Sequence, residues 1–261
     1  MGVSVVLLTY NCTRRLRECL ESVTWADELV ALDGGSTDST RRLLAEYTPV
    51  IHAQPLDVIR AHGGNFDVAR NAGFGLARHD WILVIDADEV VPAALRTEIR
   101  AAVQANQRVA YFIPRTNLFW GRPARLLGAD YQLRLFPKGC AHYEGSYLDA
   151  RPVVSCPVAH LTQPLRHYQA ESIVQLLAKL HTRTSQRARV ALTDPATIDT
   201  SAWSIFYHTF RYYYRQQDAA ADGLLGAGLS TVYAAYPALT QLKLRRLRAQ
   251  QRRSARPSPQ S

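Results

Sequence analysis

The sequence predicts an α/β protein: a doubly wound, mostly parallel sheet followed by a helical C-terminal extension. Three observations carry this. Residues 82–85, Ile-Leu-Val-Ile, are a short unbroken apolar run rich in β-branched residues, as a strand covered on both faces requires. Runs of this kind alternate with helix-period segments as far as residue 113. Finally, 261 residues with 47% hydrophobic content suffice for one large α/β domain plus an appendage.

Taken in order, residues 3–9 read as a buried strand and Tyr10-Asn11 as a turn. Thr13 opens a helix with Leu16, Cys19, Leu20 and Val23 on one face. A second strand, 29–32, runs into Asp33-Gly34-Gly35-Ser36-Thr37-Asp38. Its glycines allow a tight turn and its hydroxyls and carboxylate can cap a helix to about Tyr47. A short strand at 50–53, a polar loop at 54–64 and a helix over 65–78 lead to the 82–85 strand. Pro92 suits the first turn of a helix to about Ala105, and 109–113 is a further strand. After Pro114 the alternation stops. Residues 131–136 form a strand bounded by Pro137, 138–166 are irregular with short strands, and 171–190 and 203–214 are helical. The expected organisation is a domain over 1–190, a helical, aromatic and basic extension over 191–253, and a disordered tail over 254–261.

The formal charge of +9 is unevenly placed. No Asp or Glu follows Asp222, whereas Lys243, Arg245, Arg246, Arg248, Arg252, Arg253 and Arg256 do. Residues 1–222 are close to balance, with 24 basic and 22 acidic side chains. This argues against a nucleic-acid-binding face and for a local contact with anionic lipid. Residues 223–242 carry no charge, but their Gly, Pro, Ser, Thr and Gln content argues against a membrane span. With Tyr212, Tyr213, Tyr214, Tyr233 and Tyr236 and the basic tail, they read as an interfacial element with a polybasic anchor; the alternative is a helix packed on the domain. Four cysteines without a Cys-x-x-Cys pair exclude a common zinc site and read as reduced thiols of a cytosolic chain. The first residues lack the basic start and the apolar length of a signal peptide, and Val6 replaces the Ser or Thr of a myristoylation motif.

Two motifs carry chemistry. Asp86-Ala87-Asp88 follows the buried strand, and in an open α/β sheet ligands bind at the carboxyl ends of strands. Residues two apart in extended chain point the same way, so two carboxylates can face one hard cation. An Asp-x-Asp phosphatase nucleophile is the competing reading, but no second acidic motif follows to support it. In the second motif, Asp33 can accept a hydrogen bond from a base or ribose, and the exposed N–H groups at the next helix start favour an anion. It is not Gly-x-Gly-x-x-Gly, so a dinucleotide site is not supported.

Together these motifs resemble the family 2 glycosyltransferases of the GT-A fold. The matching residues are Leu8-Thr9-Tyr10-Asn11, Cys19-Leu20-Glu21-Ser22-Val23, Trp25-Ala26-Asp27-Glu28 and the stretch 32–40. They continue with Ala69-Arg70-Asn71-Ala72-Gly73 and 80–89. The branch that includes lipopolysaccharide core β-1,4-glucosyltransferases also has patterns like 115–121 and Gln132-Leu133-Arg134-Leu135-Phe136. The resemblance implies inverting transfer from a nucleotide-diphosphate sugar, a UDP-sugar, with Mg²⁺ or Mn²⁺, to a glycolipid or envelope polysaccharide. It places Thr9, Tyr10, Asn11, Asp33, Gly35, Ser36, Arg70, Asn71, Asp86 and Ala87 at the donor. Asp86 and Asp88 fall at the metal, Asp88 as the direct ligand and His167 completing the site. The family's His-Glu pair is replaced here by Leu148-Asp149, which makes Asp149 the expected base, with Asp130 as the other candidate. The implied setting is the inner face of the cytoplasmic membrane, as a peripheral protein. A non-catalytic sugar-nucleotide binder on the same fold is the alternative of a different class.

Overall fold

The computed structural model describes residues 1–54, 56–61, 66–105, 107–128, 130–144, 152–193 and 200–254. The elements are β1 (Val3–Thr9), α1 (Thr13–Ser22), β2 (Glu28–Asp33), α2 (Thr40–Ala45), β3 (Ile51–Ala53), α3 (Leu56–Ala61), α4 (Asp67–Leu76), β4 (Trp81–Asp86), β5 (Glu89–Val90) and α5 (Ala93–Gln104). There follow β6 (Ala110–Phe119), β7 (Arg122–Pro123), β8 (Asp130–Pro137), β9 (Ala141–His142), β10 (Val153–Val154), β11 (Val158–His160), β12 (Leu165–Ala170), α6 (Ile173–Thr193), α7 (Ala202–Arg211) and α8 (Gly223–Ser254). The main sheet runs β3-β2-β1-β4-β8-β6-β12-β5. The expected α/β fold is present.

The chain forms two compact units. The first comprises Met1–Thr116 and Ala129–Tyr168, the second Asn117–Gly128 and Gln169–Ser261. Within the second unit α6 packs with α8.

In the first unit β1 lies centrally, parallel to β2 and to β4. Its alternation assigns Val3, Val5 and Leu7 to one face, with Leu16 and Leu20 of α1 and Leu95, Ile99 and Val103 of α5. Val6 faces the other side, with Ile82 and Val84 of β4 and Phe74 of α4. Each such fully buried side chain contributes about 1.5–3 kcal/mol. Gly73 permits the close approach of α4. A Cβ there would lie 2.5 Å from Val6 Cγ1 and 3.0 Å from Leu32 Cδ1.

Beyond β4 the structure departs from a simple parallel sheet. β8 inserts antiparallel between β4 and β6. β6 is ten residues long and continues through Pro114, which faces Tyr131 of β8. The expected end at residue 113 was set by a residue that lacks an N–H, yet pairing with β8 continues through it to Arg115, opposite Asp130.

The second unit is helical around a cluster of Phe119, Leu126, Ala170, Leu176, Ala219 and Leu229. The charge-free stretch 223–242 belongs to α8, which packs on both α6 and α7. It buries Leu229, Ser230, Ala234, Ala238 and Gln241. The packed-helix alternative thus describes this stretch better than an interfacial element. Small residues let neighbours approach: a Cβ at Gly226 would overlap the Ala219 carbonyl oxygen. Lys243, read from sequence as part of a polybasic anchor, is a strut. Its Nζ donates to Thr184 Oγ1 (2.7 Å), Ser185 Oγ (2.8 Å) and the His181 carbonyl (2.9 Å) of α6. Of the expected disordered tail, all but Ser254 lies outside the described residues. Among the described residues no helix is long and apolar enough to cross a membrane.

Candidate active site

The carboxyl ends of β1, β2 and β4 converge, since Thr9 stands beside Asp33 and Leu8 beside Asp86 in the parallel register. Asp33 is 1% exposed and turned into its own loop. Its Oδ1 accepts from Ser36 Oγ (2.6 Å) and Thr9 Oγ1 (3.1 Å). Its Oδ2 accepts from the N–H groups of Ser36 (2.9 Å) and Gly35 (3.0 Å) and from Arg41 (3.3 Å). Burial alone would raise its pKa, but these donors, Ser36 foremost, hold the carboxyl below the usual range. The N–H groups of Gly35 and Ser36 are therefore committed to Asp33. Asn11, at φ 45°, ties the β1 turn to this loop: its N–H donates to Ser36 Oγ and its Oδ1 accepts from Thr37 N–H, both at 2.9 Å. Tyr10 is 60% exposed with its ring against Gly34. An exposed aromatic face beside a rigid loop can stack on a planar base.

At the end of β4, Asp86 and Asp88 have different surroundings. Asp86 Oδ2 is bound by Arg134 at 2.6 Å, and its Oδ1 lies 3.8 Å from Arg70. Burial opposes ionisation, yet Arg134 and then Arg70 hold Asp86 well below the ordinary carboxylate range. Arg134, 4% exposed, also binds Glu89 Oε1 at 2.6 Å. Glu89 is wholly buried; it accepts the Asp86 N–H (2.9 Å) and pairs with Arg115 (3.2 Å). Burial pushes Glu89 up to about 7, with Arg134 opposing and Asp86 adding to the rise. Arg115 in turn holds Asp130 at 2.7 Å, and Gln132 donates to the other Asp130 oxygen at 2.8 Å. The sequence reading assigned no role to Glu89, Arg115 or Arg134. The signal available was an arginine in the middle of an apolar strand, a residue almost never buried without a partner.

Asp88 is only slightly more open, its side chain 38% exposed against 33% for Asp86. Pairing of β12 with β5 sets His167 opposite Glu89 and brings its Nε2 to 3.7 Å from Asp88 Oδ1. Two protein donors, one oxygen and one nitrogen, suit Mg²⁺ or Mn²⁺. Such ions take few protein ligands and complete their shell with phosphate and water. Among the described residues no group of three His, Cys, Asp or Glu is placed to hold a metal. Ala87 occupies the turn between Asp86 and Asp88 and packs against the core.

On α4, Arg70 reaches Asp67 (3.2 Å) and lies 5.3 Å from the Tyr143 ring centre, while its buried Nε has no acceptor among the described residues. Asn71, expected at the donor, is committed elsewhere. Its Nδ2 donates to the Tyr143 carbonyl (2.7 Å) and its Oδ1 accepts the Tyr143 N–H (2.9 Å). Asn71→Ala should therefore lower stability by about 1–3 kcal/mol, read as a lower urea midpoint at unchanged slope. A midpoint equal to wild type would mean that these two bonds hold nothing. Leu148 and Asp149 lie outside the described residues.

A model of the family described as Glycosyl transferase family 2 matches residues 4–147. Succinoglycan biosynthesis protein ExoO of Rhizobium meliloti (strain 1021) is 36% identical over 114 residues, 41% of this chain and 32% of that protein. The PGL/p-HBAD biosynthesis glycosyltransferase of Mycobacterium bovis (strain BCG / Pasteur 1173P2) is 34% identical over 90 residues, 33% of this chain and 35% of that protein. The matches thus span only 32% and 35% of these relatives' lengths. Among solved structures, S. aureus TarS 1-349 in complex with UDP-GlcNAc aligns at a TM-score of 0.49 and 13% identity, covering 97% of this chain and 92% of that one.

Proposed function

This chain belongs to glycosyl transferase family 2, and from that membership we propose that it moves a sugar from a UDP-sugar to a glycolipid or cell-envelope polysaccharide, with inversion at the anomeric carbon. The observation that carries the reading is the open Asp88 carboxylate beside His167, at a strand end that also holds the Asp33 loop. Tyr10 offers its exposed ring to the base, and Asp33 keeps the loop beneath it in one shape. Arg70, whose guanidinium lies 3.8 Å from Asp86, meets the diphosphate. Asp86, clamped by Arg134, serves as a fixed acceptor for the ribose. Asp88 and His167 would hold Mg²⁺ or Mn²⁺, which would supply positive charge against the leaving diphosphate. Asp149 takes the proton of the acceptor hydroxyl. Asn71, by holding Tyr143, fixes the start of the segment that leads to it. Asp130 stays with Arg115 and Gln132 as part of the Glu89 network. The protein works at the inner face of the cytoplasmic membrane, a reading supported by its concentrated basic charge.

The test is a panel of nucleotide sugars with and without Mn²⁺, read by thermal shift and by release of the nucleoside diphosphate. A UDP-sugar with Mn²⁺ should raise the melting temperature and be turned over slowly, even with water as acceptor. Stabilisation without release from any donor or acceptor would make this a sugar-nucleotide binding protein and sink the transfer reading.

A further inference from the structure

An aromatic ladder runs along α7 and into the turn after it, with Trp203 exposed and Phe206, Phe210 and Tyr214 half-exposed. Trp203 and Phe206 stack with ring centres 5.6 Å apart, Phe206 and Phe210 at 6.4 Å, and Phe210 and Tyr214 at 5.3 Å, every pair within 18° of parallel. The spacing of three, four and four residues sets the rings along one side of the helix. No residue of α7 is buried, and none belongs to the apolar cluster of its unit. Trp203 is 73% exposed and Tyr207 48%. A helix that packs on α8 while leaving Trp203 and Tyr207 open and the other ladder rings half-exposed spends apolar surface on solvent, which a monomer rarely does without a use for it.

Charge selects the occupant. The sequence of the unit that contains α7 holds 15 Lys and Arg against 5 Asp and Glu, whereas the other unit holds 16 against 17. The whole excess positive charge of the protein thus lies with the ladder. Exposed Arg211 and Arg215 follow its last turns, and Arg245 donates to the Thr200 carbonyl just before its first. Tryptophan and tyrosine beside arginines are the side chains favoured where hydrocarbon meets anionic headgroups. We propose that the α7 ladder is the membrane-docking surface of this protein, its rings entering the interface of an anionic bilayer while Arg211 and Arg215 meet the lipid phosphates. The proposal rests on the membrane setting given above and relocates the contact from 223–242 to α7.

The experiment is co-sedimentation of the full chain with vesicles of equal parts phosphatidylglycerol and phosphatidylcholine, and with phosphatidylcholine alone. The variants are Trp203→Ala, Trp203→Ala with Phe206→Ala, and Arg211→Gln. Wild type should bind the anionic vesicles and lose binding as salt is raised. Removing Trp203 should weaken partition about tenfold, and the pair of rings more. Arg211→Gln should weaken it about fivefold, on anionic vesicles only. Nucleoside diphosphate release from a soluble donor should be unchanged in all three, and circular dichroism should match wild type. Failure of wild type to bind would overturn the membrane setting and the ladder together. Equal binding by wild type and both ring variants would overturn the ladder alone. If the ladder seats a second copy of this chain, wild type will scatter as a dimer and Trp203→Ala as a monomer with unchanged vesicle binding, which also overturns it.

Discussion

Arg134→Met is expected to lower the stability of the fold by about 3–5 kcal/mol, the usual loss when one partner of a buried ion pair is removed. The reason is local. Arg134 binds Asp86 and Glu89 at 2.6 Å each, and Glu89 has no solvent to turn to. Without the guanidinium, Glu89 keeps Arg115 at 3.2 Å and Asp86 keeps Arg70 at 3.8 Å. Adding Glu89→Gln should restore about 1–2 kcal/mol, because the buried carboxylate is gone while the Asp86 N–H retains an acceptor. Urea unfolding of the two single variants and the double variant closes the cycle. A single variant that loses less than about 1 kcal/mol would show that the network is not holding this end of the sheet.

Asp88→Asn should do the opposite: leave the fold intact and remove function. Its side chain is 38% exposed and lies 3.7 Å from His167 Nε2. Removing a group that helps stabilise charge on the leaving diphosphate should lower turnover about 10²–10³-fold. Binding supplies the second readout. With UDP and Mn²⁺ about a hundredfold above their dissociation constant, wild type should gain about 2.7 kcal/mol of apparent stability. At about 2–4 °C per kcal/mol that is a shift of roughly 5–11 °C. In Asp88→Asn the Mn²⁺-dependent part of the shift should vanish while the unliganded melting temperature stays put. Retention of the Mn²⁺-dependent shift would remove Asp88 from the metal, and a collapse of the unliganded melting temperature would make it a structural residue. Asp86→Asn provides the contrast, since it disturbs Arg134 and should lower the melting temperature without any ligand.

What sequence made legible follows from what is local. β1, β2 and β4 each bury both faces, so their apolar runs declared them, and Asp33, Asp86 and Asp88 could be set at strand ends from the point where each run stops. The order of strands was not legible. No local feature of residues 130–137 says that they enter antiparallel between β4 and β6. The ion network was hidden for the same reason: Arg134 meets partners 48 and 45 residues away. Asn71 was given to the donor because it follows Arg70 in a motif, while its amide serves Tyr143, 72 residues on. Composition misled at α8. Twenty residues without charge are equally suited to lipid and to other helices, and only the packing against α6 and α7 decides. Pro237 lies inside α8 although an interior proline removes a hydrogen bond, so tertiary packing outweighs a loss of about 3 kcal/mol.

The position of β1 has a consequence for synthesis. Its first partner, β2, begins at Glu28, but its second, β4, begins only at Trp81. A nascent chain that has not reached residue 81 therefore carries an apolar strand with one edge unpaired, the species most exposed to intermolecular pairing. Closing β1 against β4 joins residues 78 apart, a long-range closure whose entropy is lost before the contacts form. The strand that places Asp86 at the site is thus also the one whose arrival ends the vulnerable interval of the chain.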